Sequence, residues 1–513
     1  MNSSHKSSKH YAGLLIKSIL IGVAAGLVAS LYRYVLTYGE GLSNSIYSLV
    51  RNNLHFMPIL FIGLALLGYV VGLLTKHYPL ISGSGIPQVK AQMTGYIKRQ
   101  WLSTLIAKFI GGSLAIVGGL SLGREGPSIQ LGACVADGMA EKMSKDLSEK
   151  RMFLASGASA GLAGAFNAPL AGVMFALEEV FKYFSPNVLL STMVAAISAD
   201  FVSKLFFGTG HIFHFEITDA IPIRYYWIFL VMGLLLGLGG GFYNICLLKT
   251  QALYDKLTFI DARFKIIIPF LIAGVLGLTF PIVLGGGHAV VGELHLHTGI
   301  GFLFLILLIK FCFSMFSFGS GSPGGIFFPL LILGATIGAI FAKIAIPYLG
   351  LNEALFANFI IIAMAGYFTA IVRAPLTGII LMIEMTGALS QLLPLIITSA
   401  IAYMVAEFMT VEPIYESLLE KLLVKSGVKK QSIENEKILI ETIIQVGSPL
   451  ENRPIRDLDL SQHCLIVSII RGVDNITPNG DTVIMAFDRL QILTSVEDEI
   501  WVRSQIESYA TSA

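Results

Sequence analysis

Long apolar stretches recur along the first four-fifths of the chain, between Tyr11 and Met409. Four clear examples are Phe61–Leu74, Ile266–Leu284, Gly301–Phe313 and Phe359–Ala370. A helix that crosses a bilayer needs about 20 apolar residues, and several of these stretches are shorter or rich in glycine. The pattern therefore predicts a polytopic membrane protein in which some helices are interrupted.

The composition agrees with this prediction. Of the 513 residues, 55% are hydrophobic and 13% are charged, whereas a soluble protein carries about 25% charged residues. The mean hydropathy is +0.75. A net charge of only +2 predicts no nucleic-acid partner. The four cysteines show no paired spacing and are interpreted as packing residues: Cys134, Cys246, Cys312 and Cys464.

The N-terminal segment resembles a signal peptide, because three lysines (Lys6, Lys9 and Lys17) flank or enter an apolar run. The run is long and many others follow, so we interpret it as a first membrane helix with a cytoplasmic N-terminus. A cleaved signal is the alternative.

The composition changes near Glu412, after which charges become frequent. Short β-branched runs then alternate with Gly-Ser-Pro and Pro-Asn-Gly-Asp turns, which predicts a small soluble domain rich in strands. We expect a transmembrane transport domain over residues 1–422, a polar linker over 423–437 and a C-terminal domain over 438–513.

The membrane part contains an internal repeat. The motif Ala-Pro-Leu-x-Gly at Ala168 recurs at Ala374, and the same offset of 206 positions carries Glu178 onto Glu384. Earlier in each half, Gly132-Ala133 matches Gly334-Ala335 with an offset of 202. Two related halves are typical of transporters, whose binding sites lie at interrupted helices between the repeats. The repeat alone leaves open whether the halves are inverted.

Four glycine- or proline-rich breaks are candidate binding segments: SGSGIPQ (82–88), GREGP (123–127), GSGSPGGIFFP (319–329) and VEPIYESLL (411–419). In the first three, glycine permits close approach of a ligand, and the following proline suits the first turn of a helix. The unpaired N–H groups and positive dipole end of such a helix favour an anion. Several helix starts at one point would bind an anion without a full cationic charge, which also allows release.

Glu125 is an acid in one of these breaks, next to Arg124. An ionised side chain at membrane depth costs at least about 2.5–3.5 kcal/mol on insertion scales. Burial favours its neutral form and helix N-termini favour its ionised form, so a switch near neutral pH is expected. The alternative is a buried Arg124–Glu125 ion pair.

These motifs resemble those of the CLC family, which contains chloride channels and proton-coupled chloride exchangers. GSGIP, GREGP, GGIFFP and the tyrosine in PIYESLL occur in the family's order across residues 12–422. The resemblance implies an all-α polytopic membrane protein with the CLC-type inverted-repeat fold, and a homodimer with one pore per subunit. It implies a multi-pass protein of the cell (inner) membrane, with N-terminus and C-terminal domain cytoplasmic, that binds chloride and protons and needs no cofactor or metal.

The resemblance also implies roles for individual residues. Glu125 is the external gate and Glu179 the internal proton-transfer glutamate, with Glu178 as a second candidate and Glu384 as a related carboxylate. Lys108 contributes to the electrostatics of the pore. The chloride-binding residues are Ser84, Tyr415, Ile326, Phe327, Gly123, Arg124 and Glu125, where Ser84 and Tyr415 donate hydroxyls and Ile326 and Phe327 donate backbone amides.

Glu179 favours an exchanger over a channel, because channels of the family generally carry a residue there that does not titrate. The alternative interpretation of Glu179 is a carboxylate at a helix end that faces water and has no role in transport. Ser84 favours chloride, since nitrate-preferring relatives tend to have proline there and fluoride-exporting relatives depart from serine. A voltage- or ligand-gated chloride channel is the main alternative.

Other functions are weaker alternatives. The sequence GASAG around Ser159 fits a hydrolase nucleophile motif, but no strand precedes it, so packing is the better interpretation. His288, His295 and His297 lack the compact spacing of a metal site. Residues 438–496 resemble the TrkA-C lobe of potassium-linked regulators and are expected to form a small α/β domain, although Phe487 replaces an expected glycine. The T-V-G-Y-G potassium filter is missing. An unknown small-ligand regulator or a role in dimerisation is expected for this lobe.

Overall fold

The computed structural model describes residues 2–98, 100–182, 184–213, 215, 221–427, 437–458, 464–472, 474–495, 502 and 506, without the side chains of residues 2–10 and 262. The chain forms two compact units, Met1–Glu420 and Lys421–Ala513. Most of the predicted linker (428–436) lies outside the described residues.

Apart from an isolated bridge between Gly123 and Gly325, the regular elements among the described residues of the first unit are helices. Its helices are α1 (Asn2–Asn52), α2 (Met57–His77), α3 (Ile86–Met93), α4 (Trp101–Val117), α5 (Glu125–Met143), α6 (Leu147–Phe166), α7 (Pro169–Phe175), α8 (Pro186–Phe207), α9 (Trp227–Lys256), α10 (Ala262–Lys265), α11 (Ile267–Thr279), α12 (His288–Val291), α13 (Ile300–Gly319), α14 (Phe327–Leu349), α15 (Phe356–Val372), α16 (Pro375–Thr386), α17 (Leu392–Phe408) and α18 (Ile414–Lys425), which continues past Glu420. A π-helical turn, Ala176–Phe181, follows α7.

Eight helices among the described residues are long and apolar enough to cross a membrane, including Tyr11–Asn52 near the N-terminus. Large apolar side chains such as Ile62, Phe201 and Leu205 are exposed on them. Large apolar side chains exposed on long apolar helices suit contact with lipid rather than water. The interpretation of the N-terminal segment as a membrane helix agrees with this arrangement.

The repeat seen in the sequence is also a repeat of elements, because α2 to α8 correspond in order to α11 to α17. Two carboxylates tie the halves together reciprocally. Glu178 accepts hydrogen bonds from the Leu376 and Thr377 amides at the start of α16, at 3.2 and 2.8 Å. Glu384 accepts them from the Leu170 and Ala171 amides at the start of α7, at 3.0 and 2.8 Å.

Reciprocal contacts of this kind are what a pseudo-two-fold axis between two halves produces. The clearest case is Gly123, whose amide and carbonyl exchange bonds of 2.7 and 2.8 Å with Gly325, its repeat partner 202 positions later. The pseudo-axis therefore passes through two of the predicted glycine breaks.

The second unit contains a four-stranded antiparallel sheet in the order β1-β4-β2-β3. The strands are β1 (Lys437–Ile443), β2 (Cys464–Arg471), β3 (Asp474–Ile476) and β4 (Arg489–Ser495). One face is buried by alternating residues such as Ile440, Leu490 and Ile492, as expected for a strand with a single buried face. This confirms the predicted strand-rich C-terminal segment.

The turn in which Phe487 replaces glycine is retained. Phe487 has φ of +67°, in the left-handed region that favours glycine. The adjacent Asp488 is buried and accepts two hydrogen bonds from Arg471 at 2.8 and 2.7 Å. Burial would raise the pKa of Asp488, but the Arg471 guanidinium and the Met485 amide outweigh it and hold the pKa below its ordinary range. This ion pair anchors the turn despite the unfavourable residue.

Candidate functional site

Three predicted breaks meet at one place in the first unit. Besides the Gly123–Gly325 pair, the Gly324 amide donates to the Gly83 carbonyl at 3.0 Å. The Ser82 hydroxyl donates to the Gly321 carbonyl at 2.9 Å. The segments that precede α3 and α5 are thus each bonded to the segment that precedes α14, although Gly324 lies 241 positions after Gly83 and Gly325 lies 202 positions after Gly123.

Two buried lysines brace equivalent loops of the two halves. Lys108 donates to the carbonyls of Ile81 and Gly83 at 2.8 and 2.6 Å. Lys310, 202 positions later, donates to the corresponding carbonyls of Val283 and Gly285 at 2.8 and 2.7 Å. Lys108 is therefore positioned to hold the loop that carries Ser84.

The repeat identifies a further break that sequence reasoning missed. The loop before α12 matches the loop before α3, since Gly85 and Gly287 both precede their helix with φ of +94° and +102°. No proline follows the glycines in this second-half loop, so the local signal of a helix start was lacking. His288 begins this helix and stacks on Phe328 with ring centroids 4.0 Å apart.

Helix starts and hydroxyl groups converge around the bonded breaks. The buried Ser84 hydroxyl oxygen accepts from the Ile86 amide at 3.3 Å, which leaves its hydrogen free to donate. The Tyr415 hydroxyl is buried and has no hydrogen-bond partner among the described residues. A buried hydroxyl without a partner is unfavourable unless a ligand accepts its hydrogen bond.

Aromatic contacts connect Tyr415 to the start of α14. The ring of Phe175 lies 6.4 Å from that of Tyr415 and 6.1 Å from that of Phe327. Tyr415, Phe327 and the breaks therefore belong to one packed cluster. Donors gathered in this way, and buried from water, can bind a dehydrated anion.

Glu125 is the first residue of α5 and is fully buried. The carboxylate forms no ion pair with Arg124 among the described residues, and no side chain there hydrogen-bonds it, so the alternative of an Arg124–Glu125 ion pair is not supported. The backbone amides of Glu125 itself and of Phe328 are its polar neighbours. The carboxylate lies against Gly123, where a Cβ atom would collide with it and would also come within 3.0 Å of the Phe328 amide. Glu125 thus lies beside the first turn of α14.

Glu179 belongs to a separate cluster of charges, in which Glu179 and Lys90 are buried. Lys90 of α3 donates to Glu179 at 2.8 Å and to Glu416 at 2.6 Å. Lys182 donates to the same oxygen of Glu416. Lys90 and Glu416 were not singled out by sequence reasoning, because they come together only through contacts between residues as far as 326 positions apart.

The remaining candidates have simpler surroundings. Glu178 caps α16, so its oxygens are already bonded to amides. Ser159 lies inside α6, where Gly157 and Gly161 on either side pack against the backbone of α5. Its surroundings favour a packing role over a nucleophile. No cluster of three or more metal-binding side chains occurs among the described residues.

Comparisons with known proteins identify the family to which the chain is similar. A family model described as voltage gated chloride channel matches residues 67–407, and a TrkA-C domain model matches residues 439–504. The H(+)/Cl(-) exchange transporter ClcA of Vibrio cholerae serotype O1 is 34% identical over 433 residues, which cover 82% of this chain and 92% of the relative. The protein of the same name from Klebsiella pneumoniae subsp. pneumoniae is 32% identical over 426 residues, covering 81% and 90%.

Solved structures show the same fold. A slow cyanobacterial Cl-/H+ antiporter aligns with a TM-score of 0.77 and 28% identity, over 81% of this chain and 99% of that one. A CLC-type fluoride/proton antiporter, at 24% identity, aligns with a TM-score of 0.66 over 79% and 97%. The predicted fold class, a helical CLC-type membrane unit with a small strand-containing TrkA-C unit, is confirmed.

Proposed function

This chain belongs to the voltage-gated chloride channel family, and from that premise we propose that it is a secondary active antiporter that exchanges chloride for protons. It is a multi-pass membrane protein of a transporter family. Relatives at 32–34% identity are named H(+)/Cl(-) exchange transporters, which supports the exchanger over the channel alternative.

The observation that carries the proposal is the position of Glu125. It is a buried carboxylate without a side-chain partner among the described residues, at a helix start that is bonded to a second helix start. Ionised, its carboxylate competes with chloride for the amides around it. Protonated, it is neutral and leaves those amides to chloride. One side chain can therefore alternate between proton carrier and anion substitute.

The chloride site that we propose consists of the Ser84 and Tyr415 hydroxyls and the Ile326 and Phe327 amides, with Gly123, Arg124 and Glu125 on the outer side. Lys108 supports it by holding the Ser84 loop. Glu179 delivers protons from the cytoplasmic side, whereas Glu178 acts as a helix cap.

The test is transport by the purified protein in liposomes. A chloride gradient should drive protons in the opposite sense and against a proton gradient, because the two fluxes are coupled. A channel would show chloride flux that collapses with the membrane potential and moves no protons. That second result would overturn the exchanger and favour the channel.

We also propose the assembly and orientation implied by the family: a homodimer in the cell inner membrane, with one pore per subunit and both termini cytoplasmic. The proposed division is a transport domain over 1–422, a linker over 423–437 and a regulatory domain over 438–513. Separate compact units that divide at Glu420 support the modular part of this proposal. The ligand of the regulatory domain is proposed to be a small molecule.

Replacing Ser84 by proline should shift selectivity from chloride toward nitrate. The substitution removes a hydroxyl donor, and a larger, more easily dehydrated anion loses least from that. A hydrogen bond to a charged group contributes about 1.5–3 kcal/mol, so the selectivity ratio should change about tenfold or more. Competition flux assays measure the ratio. Ser84→Ala, which removes the same hydroxyl without a proline ring, should shift it in the same direction, and an unchanged ratio in both variants would exclude Ser84 from the site.

Deleting residues 425–513 should leave a protein that still exchanges chloride for protons. All proposed transport residues lie before the cut, and the second unit begins at Lys421. The deletion variant should be purified, tested for folding by its helical circular dichroism, and assayed in liposomes. A folded variant without transport would contradict the modular organisation.

A further inference from the structure

The charge cluster around Lys90 points to a residue that the proton route needs and that the comparisons do not assign. Resting on the proposed exchange function, we propose that Lys90 is a positioning residue for proton transfer: it holds the carboxylate of Glu179 ionised and oriented, ready to accept a proton from the cytoplasmic side.

The geometry of the cluster is the first argument. Lys90 and Glu179 are almost fully buried, with side-chain exposures of 5% and 3%, and their charged atoms are 2.8 Å apart. A buried charge is retained only when a partner compensates it, and removing one partner leaves the other uncompensated. Lys90 is the only cation within salt-bridge distance of Glu179 among the described residues.

The second argument is the gradient of exposure within the cluster. Lys182 is 50% exposed and Glu416 is 30% exposed, whereas Lys90 and Glu179 are buried. Glu179 is therefore itself buried, but it is linked through Lys90 to Glu416 and Lys182, which water can reach. This arrangement lets a proton enter and keeps the carboxylate away from bulk water.

The third argument is the place of Lys90 in the chain. It lies on α3, the helix whose first residue, Ile86, hydrogen-bonds the Ser84 hydroxyl. Its second partner, Glu416, directly follows Tyr415. Lys90 thus joins Glu179 to the two chain segments that carry the proposed chloride hydroxyls. A change in the protonation of Glu179 is therefore transmitted through Lys90 to the proposed anion site.

Lys90→Met tests the proposal, because methionine keeps most of the apolar stem and removes the charge. Without a counter-ion, the buried Glu179 carboxylate should stay neutral and stop cycling. In liposomes, the number of protons moved per chloride should fall at least tenfold. Lys90→Arg keeps the charge and should restore coupling to within about threefold of the unaltered protein, although arginine is not a perfect substitute.

Lys204→Met is the matched control. Lys204 also pairs with a largely buried carboxylate in the membrane unit, that of Asp200 at 2.6 Å, but lies outside the cluster. The substitution Lys204→Met should leave the ratio of protons to chloride unchanged. An unchanged ratio in Lys90→Met would overturn the proposal, and so would an equal loss in Lys204→Met.

A spectroscopic measurement separates positioning from a general loss of structure. Difference infrared spectroscopy at neutral pH should show a protonated carboxyl band in Lys90→Met that disappears in Lys90→Met/Glu179→Gln. The absence of that band would overturn the proposal even if coupling were lost.

A second variant keeps the proposal testable if Lys90→Met does not fold. Glu416→Gln removes one of the two carboxylates that share Lys90, while Lys182 and the Tyr415 phenol remain near the cluster. The ionised form of Glu179 is then stabilised more strongly, so the pH of half-maximal proton transfer should fall by about one unit. An unmoved or raised midpoint would contradict the role of Lys90.

These outcomes are distinct from failure of the proposed function. If Glu179→Gln retains normal coupling, the proton route itself is wrong. If Glu179→Gln uncouples the fluxes but Lys90→Met does not, only the role of Lys90 is wrong.

Discussion

Replacing Glu125 by glutamine is expected to leave chloride movement measurable and to abolish its response to proton gradients. Glutamine resembles the neutral form of glutamate in size and hydrogen bonding but cannot titrate. The gate would then remain permanently in its neutral state, and the amides around it would stay available to chloride. Because the gate can no longer carry a proton, chloride-driven proton flux should fall to the level of liposomes without protein.

The measurement uses purified protein in liposomes, with chloride flux and proton flux recorded on the same preparation. Glu149→Gln is a suitable control, because Glu149 pairs with Lys17 far from the breaks along α6. The control should retain both fluxes and their ratio. If proton movement survives in Glu125→Gln, Glu125 is not the gate.

The second half of the repeat carries no acid at the position that corresponds to Glu125. Counterparts 202 positions apart place Phe327 opposite Glu125 and Gly286 opposite Ser84. The two halves therefore share the same backbone breaks and lysine braces, but at these two positions the carboxylate and the serine hydroxyl occur in the first half only. A symmetric scaffold supplies the helix starts, and single-residue differences supply the chemistry.

Local signals in the sequence predicted the helix starts well. Glycine followed by proline near Ile86, and the Gly-rich segments before Glu125 and Phe327, each mark the start of a helix in the structure. These signals are local because they depend on backbone freedom and on the first turn of a helix. The repeat could also be predicted, because aligning the two halves requires only the amino-acid sequence.

The parts that escaped prediction depend on contacts between distant segments. The bond between Gly123 and Gly325 and the contact of Lys90 with Glu416 have no signature in either local sequence. Lys310 could have been found by carrying the offset of 202 from Lys108, because both positions are lysine. The caps formed by Glu178 and Glu384 were visible only as a matched pair without an assigned role.

The strand-rich tail illustrates a different limit. Phe487 stands where a glycine is expected, which made the turn doubtful from sequence alone. The structure keeps the turn, because the ion pair of Asp488 with Arg471 fixes the residue that follows it. Tertiary contacts here override a local preference.

Replacing Glu179 by glutamine is the second large effect that we expect, and it should remove proton coupling while chloride flow continues. Glu179 is bonded to Lys90, whereas the proposed anion ligands are the Ser84 and Tyr415 hydroxyls and the helix-start amides. If the proposed ligands form the chloride path, chloride does not contact Glu179. In the proposed mechanism, the two ions share the outer half of the route, at Glu125, and separate in the inner half.

The adjacent glutamate provides the matched control. Glu178 occupies the same π-helical turn, but its oxygens accept bonds from the start of α16. Glu178→Gln should weaken that cap, which costs about 0.5–2 kcal/mol of stability by analogy with other caps, and should leave the ratio of protons to chloride unchanged. The pair of variants thus separates a titrating role from a capping role at neighbouring positions.

Three results are distinguishable when both fluxes of Glu179→Gln are measured in liposomes. Loss of proton movement with continued chloride flux is the expected result, since glutamine keeps the size and hydrogen bonding of the side chain but holds no exchangeable charge. A helix-end carboxylate that only faces water would give a variant with normal coupling. A carboxylate that lines the anion path would give altered chloride flux with intact coupling. Glu179 is buried and bonded to Lys90, which argues against both alternatives. Only loss of proton movement with continued chloride flux is compatible with a proton route that leaves the chloride path at Glu179.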